Sequence, residues 1–458
     1  MIFKKSLYLL LIFYSFNSNA DLFTITGGEE DLGTNSDGSK NNAVSLQPQS
    51  YNNYNDVKNV IDQVNQPSNP FYQILNTNNS ANGSSIIPEG VINGSFLGSS
   101  VDLSGALNSP ALHLSSSQLN INQTFNGQTR SESLSMFKEW VKNNASSLSQ
   151  QANSQTPLNP VVGTPAGAVN MMQNENSLMT LNTSSSTFSN GNVGNNANSG
   201  NNENNTDSGN VASISARFGN YSIENKQAQS ITVPLGYTIN FANKYSLIFN
   251  VPLTYATIAN IPSYSASLGI GLKVPLSNIL GMEHNWSVTP MVRGGAVGSD
   301  KNIISTSAIY SGGLLSEYDL PFANGILGFK NMYSYFVTTS ITQYLDLKIN
   351  NVRTSIPDIN NSIFRNALYY SSYFDTQILD RKLSGTIFFA DTRYTGSAIY
   401  SDYQEEVGIT LGLSPKIKAD STNSFLRRQL DAQDFNLGIS YITGRSFDGI
   451  TANFGLNF

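Results

Sequence analysis

Two histidines, His113 and His284, are the only imidazoles this chain offers as a general base, and it has no cysteine to act as a nucleophile or thiolate ligand. Hydrolytic sites commonly set an imidazole beside a Ser or Asp because it titrates near working pH. His284 falls in a turn between predicted strands and His113 in a polar N-terminal region. Both therefore read as surface residues, no catalytic residue is assigned, and an enzyme is not expected. The acidic run Glu29-Glu30-Asp31, with Asp37 beyond it, lacks the ligand spacing of a calcium loop and reads as a solvated charge cluster, so no metal site is assigned. No phosphate-cradling or dinucleotide glycine loop opens a helix, and no cofactor is expected. What remains is a set of isolated bases, Lys273, Arg293 and Arg365, in segments where apolar and small residues alternate.

Those segments determine what the bases can do. Ile231, Val233, Leu235, Tyr237 and Ile239 alternate with Thr232, Pro234, Gly236, Thr238 and Asn240, and the scheme repeats from Tyr245 to Tyr255 and from Tyr264 to Val274. It returns at Val407–Leu413, Phe435–Tyr441 and Ile450–Phe458. A period of two with one apolar and one small row describes strands whose faces meet different media. Weaker candidates near 211–223, 286–298, 304–318, 325–338, 362–374 and 383–394 bring the total to about twelve strands, each near the length a tilted transmembrane strand needs. The predicted fold class is all-β: a transmembrane antiparallel up-and-down β-barrel with small and polar residues inside and apolar residues toward lipid. An Arg or Lys on the lipid face costs about 2–4 kcal/mol at mid-bilayer, so the bases should face the lumen. Lys273 and Arg293 lie on the small-residue row. Arg365 shares a row with Ile363, Ala367 and Tyr369, which leaves lumen and interface both open. Asp391 and Arg393 share a row with Ile387 and Phe389, and either pair inside or lie beyond the hydrocarbon. Tyr245, Tyr255, Tyr264, Trp286 and Tyr318 fall near strand ends, where aromatic girdles sit. An even count puts the long loop 339–361 outside, but it also puts the long segment 414–432 on the periplasmic side, which suggests a missed strand or a count wrong by two.

The address agrees. Residues 1–20 have a basic start at Lys4 and Lys5, an apolar run and small residues at Ser18 and Ala20, the layout of a secretory signal peptide. No other apolar run is long enough for a membrane helix, so a spanning structure would have to be a closed barrel. Charged residues are 12% of the chain, half the usual share. The net charge of -6 and pI near 5.0 argue against a nucleic-acid partner.

Upstream of the barrel the composition changes. Residues 181–210 are dominated by Asn, Ser and Gly and read as a linker. Residues 21–180 read as a largely disordered, low-complexity region with a few short helices. The segment 21–51 looks disordered, and Val57, Val60, Ile61 and Val64 fall at helical spacing. Thr129 and Glu132 form a capping box ahead of Leu134, Phe137, Trp140 and Val141, and a third helix is expected over 166–181. Short alternations at Val101, Leu103 and Leu112, Leu114 suggest strands.

The signal, the polar N-terminal region, a barrel over 211–458 and the ending Asn453-Phe454-Gly455-Leu456-Asn457-Phe458 together resemble the autotransporter class of Gram-negative outer-membrane proteins. The resemblance implies an outer-membrane location. It also implies that Phe454, Leu456 and Phe458 form an insertion signal read by the barrel-insertion machinery, and that the N-terminal region is displayed at the cell surface, in adhesion to a ligand the sequence does not name. That class usually carries a helix directly before the first strand, where this chain has its linker. The alternative is a porin-like passive channel, its lumen lined by Lys273, Arg293 and Arg365, with a periplasmic or plug-like N-terminal region.

Overall fold

A computed structural model describes residues 23–30, 45–51, 89–96, 99–106, 109–155, 210–223, 226–241, 245–258, 261–281, 285–299, 306–340, 359–378, 381–413 and 434–457. The expected signal peptide, the helices over 57–64 and 166–181, all but the last residue of the linker, Asp31, Asp37, His284 and Phe458 lie outside the described residues.

The first described unit is a sheet of β1 (Phe23–Glu30), β2 (Ser45–Tyr51), β3 (Glu89–Phe96), β4 (Ser99–Ala106), β5 (Leu112–Ser116) and β6 (Ile121–Phe125), in the antiparallel order β2-β1-β3-β4-β5-β6. The alternations at Leu103, Leu112 and Leu114 put those three side chains in its core. Strands β1 and β2 occupy a stretch expected to be disordered. Their order comes from a distant partner, with Ile25 facing Gly94 of β3, and a composition window carries no trace of such a pairing. Helix α1 (Arg130–Gln155) follows and is longer than the short helices expected. The Glu132 N–H donates to the Thr129 hydroxyl at 3.2 Å, and the Glu132 carboxylate accepts from the Gln128 N–H at 2.7 Å, a reciprocal cap that fixes where α1 begins. Arg130 donates to the carbonyls of Ala106 and Ala111, tying the start of the helix to the β4–β5 connection.

The second unit is a closed barrel of twelve antiparallel strands: β7 (Val211–Ile223), β8 (Lys226–Asn240), β9 (Ser246–Ile258), β10 (Ile261–Pro275), β11 (Asn285–Ser299), β12 (Thr306–Phe322), β13 (Gly325–Ser340), β14 (Asn360–Ile378), β15 (Arg381–Gly396), β16 (Tyr403–Leu413), β17 (Asp434–Gly444) and β18 (Phe447–Asn457). Each strand pairs with its sequence neighbour, and β18 closes onto β7 through Asn453 facing Arg217. Every segment predicted as a strand is one. The described strands close the ring at twelve, with β16 paired directly to β17. A short helix not foreseen from the sequence, α2 (Leu276–Leu280), turns the chain between β10 and β11 and ends on Gly281 in the left-handed conformation at φ 65°.

Val211 and Asn457 share one end of the barrel, called here the near end, and the hairpins after β7, β9 and β17 lie at the far rim. Exposure along the strands is inverted relative to a water-soluble protein. On β16, Ile409 is 54% exposed while its neighbour Thr410 is 3% exposed. The same alternation puts Leu253, Leu268, Val292, Leu314, Leu368, Ile387, Leu437 and Ile450 outside, in a continuous apolar belt. A closed sheet leaves no unpaired edge, and a greasy exterior is stable only against hydrocarbon. This unit is a transmembrane β-barrel.

Aromatic residues mark both borders of the belt. Tyr245, Trp286 and Tyr318 lie toward the near end. Tyr255 and Tyr264 lie toward the far rim with ring centroids 5.3 Å apart. Asp391 and Arg393 fall on the outward row near the far end of β15. They bond to each other at 2.8 Å, with the Arg393 guanidinium over the Tyr403 ring, on the outer face rather than in the lumen. Inside the wall, Gly408 makes room for the Phe388 ring. A Cβ there would sit 2.6 Å from both Phe388 Cε1 and Ser440 Cβ, so the close approach requires glycine.

Candidate functional site in the barrel interior

The inward rows hold two ionic networks, each built by strands that the alternation keeps in register. In the first, Glu406 of β16 accepts from Arg217 of β7 at 3.1 Å, from Arg365 of β14 at 2.8 Å and from the Ser440 hydroxyl of β17 at 2.7 Å. Arg365 also donates to Thr392 of β15 at 2.9 Å, and Ser440 shares a hydrogen bond with Thr451 of β18. One carboxylate thus ties together the six consecutive strands from β14 round to β7. All three charged residues are nearly inaccessible, with Glu406 only 2% exposed. Burying ions this deeply is tolerated only when geometry and added hydrogen bonds offset desolvation, and the Glu406 oxygens satisfy that condition.

The second network lies toward the near end. Glu317 of β12 accepts from Lys273 of β10 at 2.9 Å and from Lys330 of β13 at 2.7 Å. The Tyr369 hydroxyl of β14 donates to Asp319, and the Lys330 ammonium lies 5.5 Å from the Tyr369 ring centroid. Arg293 of β11 stands between these groups in sequence and donates to neutral oxygens, Ser267 Oγ at 2.7 Å and Asn250 Oδ1 at 3.0 Å. Among the described residues, these contacts engage five basic side chains (Arg217, Lys273, Arg293, Lys330 and Arg365) and three acidic ones (Glu317, Asp319 and Glu406). Among these eight contacting residues, basic side chains outnumber acidic ones by two.

Lys273, Arg293 and Arg365 thus do not form one site. Arg293 and Arg365 are each 3% exposed, Lys273 keeps 30% of its side chain exposed near the strand end, and each belongs to a different set of contacts. Ile363, Ala367 and Tyr369 share the row of Arg365 and are buried with it, so on β14 the inward row is partly apolar. This departs from the expectation of a uniformly small and polar interior. Met291, Val297, Ile309, Leu315, Met332, Phe336 and Ile363 form an apolar patch on the inner wall of β11 to β14, in the half toward the far rim. The partners Arg217, Glu317, Lys330 and Glu406 were not singled out from sequence: Glu406 shares its row with Gly408 and Thr410 and Arg217 with Ser215 and Gly219, whereas Glu317 and Lys330 sit on rows that also carry Leu315 and Met332. Of the terminal residues, Phe454 points outward at 42% exposed and Leu456 is half-buried. His113 lies half-buried on β5, its Nε2 2.8 Å from Asn122 Oδ1.

The two units meet. A single apolar cluster includes Leu112, Phe125, Leu134, Phe137 and Ala152 of the sheet and helix and Tyr221, Ile223, Ala228, Ile258, Ile442 and Phe447 of the barrel. Every barrel member lies beside a far-rim hairpin, and Tyr221 stacks on Phe447 with centroids 5.3 Å apart.

No protein-family profile and no curated protein matches the chain. Among solved structures it is similar to the β-domain of the Bordetella autotransporter BrkA, at 9% identity and TM-score 0.41 over 54% of this chain and 98% of that one. The translocator domain of autotransporter NalP from Neisseria meningitidis matches at 10% identity and TM-score 0.34 over 55% and 88%. The KdgM porin matches at 10% and 0.26 over 54% and 98%. Likeness at this level adds nothing to what strand closure and the outward apolar belt already establish.

Proposed function

We propose that this protein is a Gram-negative outer-membrane barrel that anchors and displays its N-terminal unit at the cell surface, where that unit adheres to a further ligand. The observation that supports this reading is the apolar cluster joining α1 and its sheet to the far rim, the end opposite Val211 and Asn457. Barrels of this type keep short turns in the periplasm, and with an even strand number both ends of the barrel segment, Val211 and Asn457, lie there, so the far rim is the outer one. A sheet and helix seated on that rim stand outside the cell. Phe454, Leu456 and Phe458 then serve as the signal for the insertion machinery, and outer-membrane lipid covers the belt.

Protease shaving of intact cells tests the reading. Added protease is expected to remove epitopes in residues 23–155 while the barrel fragment stays in the membrane. Full protection of that region in intact cells, with cleavage only after the outer membrane is permeabilised, would contradict it and favour a periplasmic arrangement.

A further inference from the structure

We infer that the polar face of the N-terminal sheet is the adhesive surface, and that it takes an uncharged polyhydroxylated polymer, a neutral polysaccharide. The inference rests on the display reading and names the class of ligand for the displayed unit.

Packing decides which face is available. Alternate residues of a strand point to opposite faces of a sheet. Ile92, Leu103, Leu112, Leu114, Ile121 and Phe125 share one face, and all six belong to the apolar cluster that also holds α1 and the far rim of the barrel. The opposite face therefore points away from the rim. With that rim outside the cell, it is the face that meets the medium.

Register arranges this face into two ranks. Asn93 faces Asp102, Asp102 faces Ser115 and Ser115 faces Asn122, so the first rank crosses β3 to β6. Two residues along the strands, Ser104 faces His113 and His113 faces Thr124 in a second rank. With strands about 4.8 Å apart, the first rank is about 14 Å long, and the second lies about 7 Å from it. A ribbon-shaped polymer laid across the strands meets a new hydrogen-bonding side chain at each one.

The chemistry of the ranks selects the polymer. The side chains of Asp102, Ser104, Ser115 and Thr124 have no hydrogen-bond partner among the described residues, although each is at least partly exposed. His113 Nε2 lies 2.8 Å from Asn122 Oδ1, which holds that amide and leaves its NH2 to donate. Hydroxyls and amides both donate and accept, and the Asp102 carboxylate can accept from two hydroxyls at once, a match to sugar hydroxyls. The described side chains of this face include no Lys or Arg to hold phosphate, sulfate or an acidic sugar, and Asp102 repels such groups. They include no large apolar side chain to enter lipid. Single contacts of this kind are weak, and a polymer that engages many displayed copies on one cell gains by avidity.

The test uses cells that carry the full-length protein, incubated with fluorescent soluble glucan, mannan and galactan. Dextran sulfate and anionic phospholipid vesicles serve as charged comparisons. At least one neutral polymer should be retained above cells lacking the protein, and neither charged probe should be. Asp102→Ala combined with Asn122→Ala should lower retention about tenfold. Thr124→Arg should abolish it, and Glu139→Ala, exposed on α1, should leave it unchanged. Surface antibody staining checks that each variant is present in equal amount. Retention of the charged probes instead, equal retention by the face variants, or no retention of any neutral polymer would overturn the inference. If protease still removes residues 23–155 from intact cells in that case, display survives and only the ligand class falls. Retention of a neutral polymer only after permeabilisation, in cells that resist shaving, would keep the face and remove display.

Discussion

Replacing Glu406 by leucine is expected to lower the stability of the barrel by about 3–5 kcal/mol, the usual cost of removing one partner from a buried ion pair. The carboxylate neutralises Arg217 and Arg365 at once, and both guanidiniums lie where water cannot replace it. The mutant should unfold at much lower urea, followed through Trp286 emission in lipid vesicles in a Trp140→Phe background. The loss should shrink when Arg217→Met and Arg365→Met are added, because a matched apolar cluster leaves no orphaned charge. Glu405, next along β16, pairs with Arg393 at 3.7 Å with 44% of its side chain exposed. Glu405→Ala should therefore change stability by less than about 1 kcal/mol. Similar effects at Glu405 and Glu406 would mean that the interior network is not what braces β14 through β7.

A charge on the other row should cost almost as much for a different reason. Ile409 lies mid-strand in the apolar belt, and Ile409→Arg is expected to destabilise the inserted barrel by about 2–4 kcal/mol. Ile409→Phe, which keeps the contact with lipid, should be nearly neutral. The measurement is urea unfolding in vesicles, with the fraction inserted after refolding as a second readout. An arginine tolerated at 409 as well as phenylalanine would place that face in water.

How much of this was legible in the sequence follows from what each feature depends on. The barrel was readable because its cause is local: residues two apart share a face, so Val407, Ile409 and Leu411 announce a lipid-facing strand without knowledge of its neighbours. The start of α1 was readable for the same reason, since Thr129 and Glu132 are three residues apart. The sheet before it was only partly readable, because β1 gains its order from β3, a partner far along the chain. The networks fall between these cases. Parity puts Glu406 and Arg217 on inward rows, but they lie 189 residues apart in sequence, and only closure of β18 onto β7 brings them together. Arg365 was ambiguous because its row is apolar, and the interior patch of Met332, Phe336 and Ile363 explains why an inward row of β14 need not be polar. The rule that barrel interiors are small and hydrophilic holds for β16 and fails for β11 to β14.

The central claim is that alternate residues of the barrel strands meet lipid and lumen, and nitroxide scanning of β16 tests it most directly. Single cysteines introduced one at a time at Gln404, Val407, Ile409, Thr410, Leu411 and Gly412 carry the label, with no native thiol to compete. In vesicles, labels at 407, 409 and 411 should collide readily with dissolved oxygen and poorly with a polar nickel chelate. Labels at 404, 410 and 412 should show restricted motion and low oxygen contact, giving a period of two. Uniform access of the nickel chelate along the strand, or a profile with no alternation, would contradict the account.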